Sequence, residues 1–104
     1  VTVNGATSQL ADRGGGRCAL SGALTLESTP WLWKELQAGG LLDNAVEADL
    51  SGVDTADSAG LALLVAWKAA CRRQGRELAF TGVPGRLRAL AALTDAGRLL
   101  DTAG

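Results

Sequence analysis

The sequence predicts an α/β fold: a mixed β-sheet of four to five strands with three to four helices mainly on one face. Three observations lead there. Short segments of period-two alternation are interleaved with longer segments of helical spacing. The strand candidates alternate apolar residues with polar or small ones, whereas a parallel sheet covered by helices on both faces has nearly continuous Val/Ile/Leu strands. Glycine, proline and capping residues punctuate the chain where the period changes.

Taken in order, Thr7 to Leu10 is a weak strand candidate, and Ala11-Asp-Arg-Gly-Gly-Gly16 reads as a turn before a second strand, Arg17 to Ser21. In that strand Cys18 and Leu20 share one face, and Gly22 marks a bulge or a strand end. Thr29 is the expected N-cap of the first helix, with Pro30 in the first helical position and Gly39-Gly40 at the stop. A third strand covers about Ala45 to Leu50, with Val46, Ala48 and Leu50 opposite Glu47 and Asp49. A second helix runs from about Ala59 to Arg73, a fourth strand from Glu77 to Thr81, and a third helix from Pro84 with Leu87, Leu90 and Ala91 on one side. A short terminal piece around Leu99-Leu100 completes the pattern.

At 104 residues the expectation is one domain, 1–104, with one layered core. The hydrophobic share of 47% is that of an ordinary folded chain. Ten basic and eleven acidic side chains leave a net charge of -1, so nothing draws the chain to nucleic acid. Its longest apolar run, Leu61 to Trp67, is far short of the roughly 20 residues that cross a bilayer. The polar N-terminus has no apolar signal region, and the expected location is cytoplasmic. Cys18 and Cys71 fall on apolar faces without metal-ligand spacing and read as buried, reduced thiols.

The chain contains no histidine, which excludes Ser-His-Asp and Cys-His catalysis. Two thiols and scattered carboxylates make a poor zinc site. Gly14-Gly15-Gly16 precedes a strand rather than a helix and cannot cradle phosphate as a P-loop does. No catalytic residue, metal or cofactor is expected.

The most informative stretch is Asp49-Leu-Ser-Gly-Val-Asp-Thr-Ala-Asp-Ser-Ala-Gly-Leu-Ala-Leu-Leu64, where a strand gives way to a polar turn and then an apolar helix. Ser58 is the expected N-cap of that helix, its hydroxyl displayed beside the carboxylates of Asp54 and Asp57. The same hydroxyl is a candidate partner contact or phosphorylation site; a phosphate there is favoured by the helix dipole and repelled by Asp54 and Asp57. Trp31 and Trp33 are about 200° apart around the first helix, so both cannot face the core. Leu32 and Leu36 define the buried stripe, with Trp33 nearer to it than Trp31; the surplus tryptophan is a core flank or a binding anchor. Trp67 is core. Arg72, Arg73 and Arg76 complement the end of the second helix, and Arg86 and Arg88 read as a solvated face.

Asp49-Leu-Ser-Gly-Val-Asp54 followed by Asp57-Ser-Ala-Gly-Leu61 resembles the signature of the STAS domain, and Leu20-Ser-Gly-Ala-Leu24 and Phe80-Thr-Gly-Val-Pro84 extend the likeness over most of the chain. The resemblance implies a small mixed sheet flanked by helices, in agreement with the alternation. Two branches fit. In anti-sigma factor antagonists the first serine of Asp-Ser-Ser-Gly is phosphorylated; Ser58 stands there, with Ala59 in place of the second serine. In the MlaB-type subunit of bacterial phospholipid ABC transporters a Thr or Ser at that position meets the ATPase, and Gly60-Leu-Ala-Leu-Leu64, Gln74-Gly75 and Leu32-Trp33 look more like this branch. The resemblance thus implies a non-catalytic subunit that binds the transporter ATPase and supports outer-membrane lipid asymmetry, peripheral to the inner membrane through that partner. Ser58, Asp57 and Thr55 would be its polar contacts and Trp33 its apolar anchor.

Overall fold

A computed structural model describes residues 2–3 and 6–93, with side chains from residue 8 onward. Its elements are β1 (Thr2–Val3), β2 (Ala6–Gly14), β3 (Arg17–Leu24), α1 (Thr29–Ala38), α2 (Leu41–Asn44), β4 (Glu47–Ala56), α3 (Ser58–Arg73), β5 (Ala79–Thr81) and α4 (Gly85–Ala92). The five strands form one sheet in the order β1-β2-β3-β4-β5. The pairs β1–β2 and β2–β3 are antiparallel, while β3–β4 and β4–β5 are parallel, so the sheet is mixed as expected.

Alternation decides which face is covered. Cys18 and Leu20 of β3, Ala48 and Leu50 of β4, and Phe80 of β5 point into a core completed by Leu32 and Leu36 of α1, Leu61, Leu64 and Trp67 of α3, and Leu87 and Ala91 of α4. On the opposite face Arg17 and Ser51 are exposed, and Asp49 holds an ion pair with Arg13 at 3.5 Å. Among the described residues no helix lies over that side.

The strands differ from the sequence reading in length, for a local reason. β2 runs on through Asp12 to Gly14, so that the expected turn shrinks to Gly15-Gly16. All three glycines of that run have φ between 65° and 81°, a conformation that suits glycine. β4 continues to Ala56 instead of ending at Leu50. Its pairing with β3 slips twice, between Ala19 and Ser21 and between Gly22 and Ala23, each time with one extra residue on β4. The inward residues of β4 are therefore Ala48, Leu50, Val53 and Ala56, and the period of two is broken. Val46 lies ahead of the strand and is exposed, against the expectation that it shared the face of Ala48.

The helices follow their stripes. Leu32 and Leu36 are the buried pair of α1, and Pro30 sits in its first turn, but Ser28 rather than Thr29 is the capping position. α2, a single turn, was not anticipated. In α3 the buried residues include Leu61, Leu64, Lys68 and Cys71, spaced at three and four, and Gly75 with φ of 74° follows the helix end. Arg72 and Arg73 occupy its last turn, as expected. Arg86 and Arg88 are exposed on α4. The piece around Leu99-Leu100 lies outside the described residues.

Candidate functional site

The start of α3 is built by one carboxylate. Asp57 is in extended geometry between β4 and α3, and its Oδ1 accepts the Gly60 amide at 3.0 Å, so Asp57 is the N-cap. Its Oδ2 accepts the Leu26 amide at 3.0 Å, and its own N–H donates to the Leu24 carbonyl at 3.2 Å. Gly60 presses against the end of β3: a Cβ there would collide with the Leu24 carbonyl oxygen, which explains the glycine by close approach.

This corrects the expectation that Ser58 caps the helix. Ser58 is the first helical residue, and a hydroxyl there is not placed to bond the amides of the next turn. A carboxylate one residue earlier serves two amides in different directions, one on each oxygen. Among the described residues Ser58 Oγ has no hydrogen-bond partner, and the side chain is exposed. Asp57 is correspondingly not a free carboxylate. Thr55 is exposed near the end of β4, and its Oγ1 donates to Asp54 Oδ1 at 3.0 Å. Ser58, Asp57, Thr55 and Asp54 are thus brought together at one exposed corner.

Trp33 is half-buried and lines a groove of about 630 Å³ between α1 and α3, with Pro30, Lys34, Gln37, Ala59 and Ala62 among its walls. Ala59 follows Ser58 directly, so the groove reaches the polar corner. Trp31 is also half-buried and turns to the other flank, where it borders a hollow of about 440 Å³ beside Leu10, Arg13 and Ser21. Each tryptophan flanks the Leu32/Leu36 stripe and packs against the core, so neither is the fully buried member of the pair. Trp67 is core, with no exposed surface and its Nε1 donating to the Leu41 carbonyl at 2.8 Å.

Three residues escaped the sequence reading. Leu26 is exposed in the turn held by Asp57. Ser28 is buried beneath that turn, its Oγ accepting the Thr25 amide at 2.9 Å and reaching the Ala23 carbonyl at 3.0 Å. Lys68 is fully buried, with Nζ donating to the Leu78 carbonyl at 2.6 Å, 3.6 Å from Glu77 and 5.5 Å above the Phe80 ring. The one available sequence signal was helical phase: Lys68 falls on the stripe of Leu61, Leu64 and Cys71.

The electrostatics elsewhere serve the fold. Burial pushes the Cys18 thiol up to about 12 and also raises that of Cys71, which keeps both protonated. Burial lowers the Lys68 ammonium below its usual range. The Ser51 amide and then Arg13 hold Asp49 below the ordinary carboxylate range, and Arg72 does the same for Glu77. Among the described residues no group of three or more acidic, cysteine or histidine side chains is placed to hold a metal ion, and no helix is long and apolar enough to cross a membrane.

A mixed sheet with four helices is the fold of a STAS-like domain. The family model described as "Mlab, STAS domain" matches residues 8–101, and the chain belongs to that family of STAS domains of MlaB type. Domains of this family are generally non-catalytic. Compared with curated proteins, the chain matches none.

Proposed function

We propose that this chain is a non-catalytic subunit that docks on the ATPase of an ABC phospholipid transporter and supports it in maintaining outer-membrane lipid asymmetry. ATP chemistry belongs to the partner, and the chain stays cytoplasmic, peripheral to the inner membrane through the complex. The observation that carries the reading is the Ser58 hydroxyl: Asp57 beside it holds the Gly60 and Leu26 amides, while the hydroxyl itself is displayed without a partner among the described residues. Thr55 adds a second exposed hydroxyl, and Trp33 in its groove supplies the apolar anchor that such contacts are commonly built on.

The test is titration of the purified chain against the nucleotide-binding subunit of the transporter from the same organism. We expect saturable binding and a rise in ATP turnover. Trp33→Ala should weaken the complex by about 2 kcal/mol, or roughly thirtyfold, with the variant still folded by circular dichroism. Unchanged affinity in that variant would remove Trp33 from the contact.

A second reading is favoured by the same exposure: a partner-switching antagonist of an anti-sigma factor, controlled by phosphorylation of Ser58. The α3 N-terminus favours a phosphate there and Asp54 opposes it. Incubation with candidate kinases and mass spectrometry separates the two, since stoichiometric phosphate on Ser58 belongs to the switch alone.

A further inference from the structure

We infer that Asp57 acts as a positioning residue, locking the turn of residues 25–28 against α3 so that Leu26 is presented as a second apolar contact for the ATPase. The inference rests on the docking reading above and adds a residue to it.

The observation is a rigid turn with an apolar tip. From one side, Leu26 N–H is held by Asp57 Oδ2 at 3.0 Å, while Asp57 N–H returns a bond to Leu24 O at 3.2 Å. From below, buried Ser28 accepts the Thr25 amide, and Ser28 N–H and Thr29 N–H both reach the Thr25 carbonyl at 3.0 Å. The turn is held through the Thr25, Leu26 and Ser28 amides, yet the Leu26 side chain is 66% exposed. Nothing in the core requires a leucine at such a place. A contact ordered before binding loses little further freedom on association.

The occupant follows from continuity. Leu26 is hydrogen-bonded to the residue immediately before Ser58, so a partner surface that covers the Ser58 hydroxyl meets this turn as well. The arrangement also explains why the capping residue is an aspartate. Asparagine caps a helix as well as aspartate does, but Gly60 and Leu26 are held by different oxygens, and an asparagine that keeps one of them sets its NH2 donor against the other amide N–H.

The experiment compares Asp57→Asn, Leu26→Ser, the double variant and Ser58→Trp, each titrated against the purified ABC ATPase, with the exchange rate of the Leu26 amide followed by NMR. Asp57→Asn is expected to remain folded, to lose protection at Leu26 and to bind about tenfold more weakly. Leu26→Ser should bind about tenfold more weakly with the Leu26-position amide still protected, and the double variant should be no weaker than either. Additive losses, or normal affinity in either single variant, overturn the inference. Ser58→Trp separates this from the docking reading: if it abolishes binding while Leu26→Ser does not weaken it, only the role of Leu26 is lost. If Ser58→Trp binds normally, the docking reading fails and takes this inference with it.

Discussion

The two ends of α3 use polar residues in opposite ways. Toward its C-terminal end the buried polar groups are answered, Trp67 by the Leu41 carbonyl, Lys68 by the Leu78 carbonyl and Glu77, and Cys71 by the Ala45 carbonyl, while exposed Arg72 pairs with Glu77 at the surface. At its first turn Asp57 answers the Gly60 and Leu61 amides, but the Ser58 hydroxyl is left to solvent. Buried polar groups that lack partners are costly, so the inner end is constrained by stability alone. An exposed hydroxyl on a rigid frame costs the fold nothing and leaves a recognisable pattern for another surface. The contrast is what supports proposing the N-terminal end as the contact.

Four substitutions test the contrast, the largest first. Gly60→Val forces side-chain carbon into the Leu24 carbonyl, and we expect a loss of about 3 kcal/mol or failure to fold, read by urea unfolding. A stable Gly60→Val protein would break the claim that α3 rests directly on β3. Trp67→Phe at the inner end removes one of the two donors to the Leu41 carbonyl, which keeps the Ala45 amide, and leaves space behind the smaller ring; it should cost about 2 kcal/mol of stability while ATPase affinity holds.

Acid unfolding provides the third. Asp49 has its pKa lowered in the fold from the ordinary 3.8, chiefly by the Ser51 amide. A depressed carboxylate contributes stability that is present above the unfolded value and is lost as pH falls through the folded one. Asp49→Asn should therefore flatten stability against pH below about pH 4, by less than about 1 kcal/mol because its Arg13 partner is solvent-exposed. The smallest effect is at Ser58 itself. Because Asp57 is the cap, Ser58→Asn should shift stability by no more than about 0.5 kcal/mol; a loss of about 1 kcal/mol or more would return a structural duty to that hydroxyl.

Much of this was legible in the sequence, and the misses share a cause. The strand at Arg17, the helix stripes of Leu32/Leu36 and Leu61/Leu64, and the one-sided cover all follow from local period. β4 was cut short because its two bulges break the alternation between Leu50 and Ala56, so that Gly52 and Asp54 look like a turn. Gly52 is in fact packed against Ser21 of β3, a contact that local pattern does not contain. The corner is legible in the sequence, but local pattern sets its cap at Ser58, one residue after Asp57. Asp57 and Ser58 are both good capping types, and the choice between them is made by Leu26, thirty-one residues away in sequence. The burial of Lys68 is not legible locally because it depends on the Leu78 carbonyl, just ahead of β5.

The most direct measurement is amide hydrogen exchange of the chain alone and in complex with the transporter ATPase. The account predicts new protection in the complex at Leu26, Thr55 and Ser58–Ala62, and along the Trp33 side of α1, with the open face of the sheet unchanged. Protection confined to the sheet face or to α4, with the start of α3 exchanging as in the free chain, would contradict it.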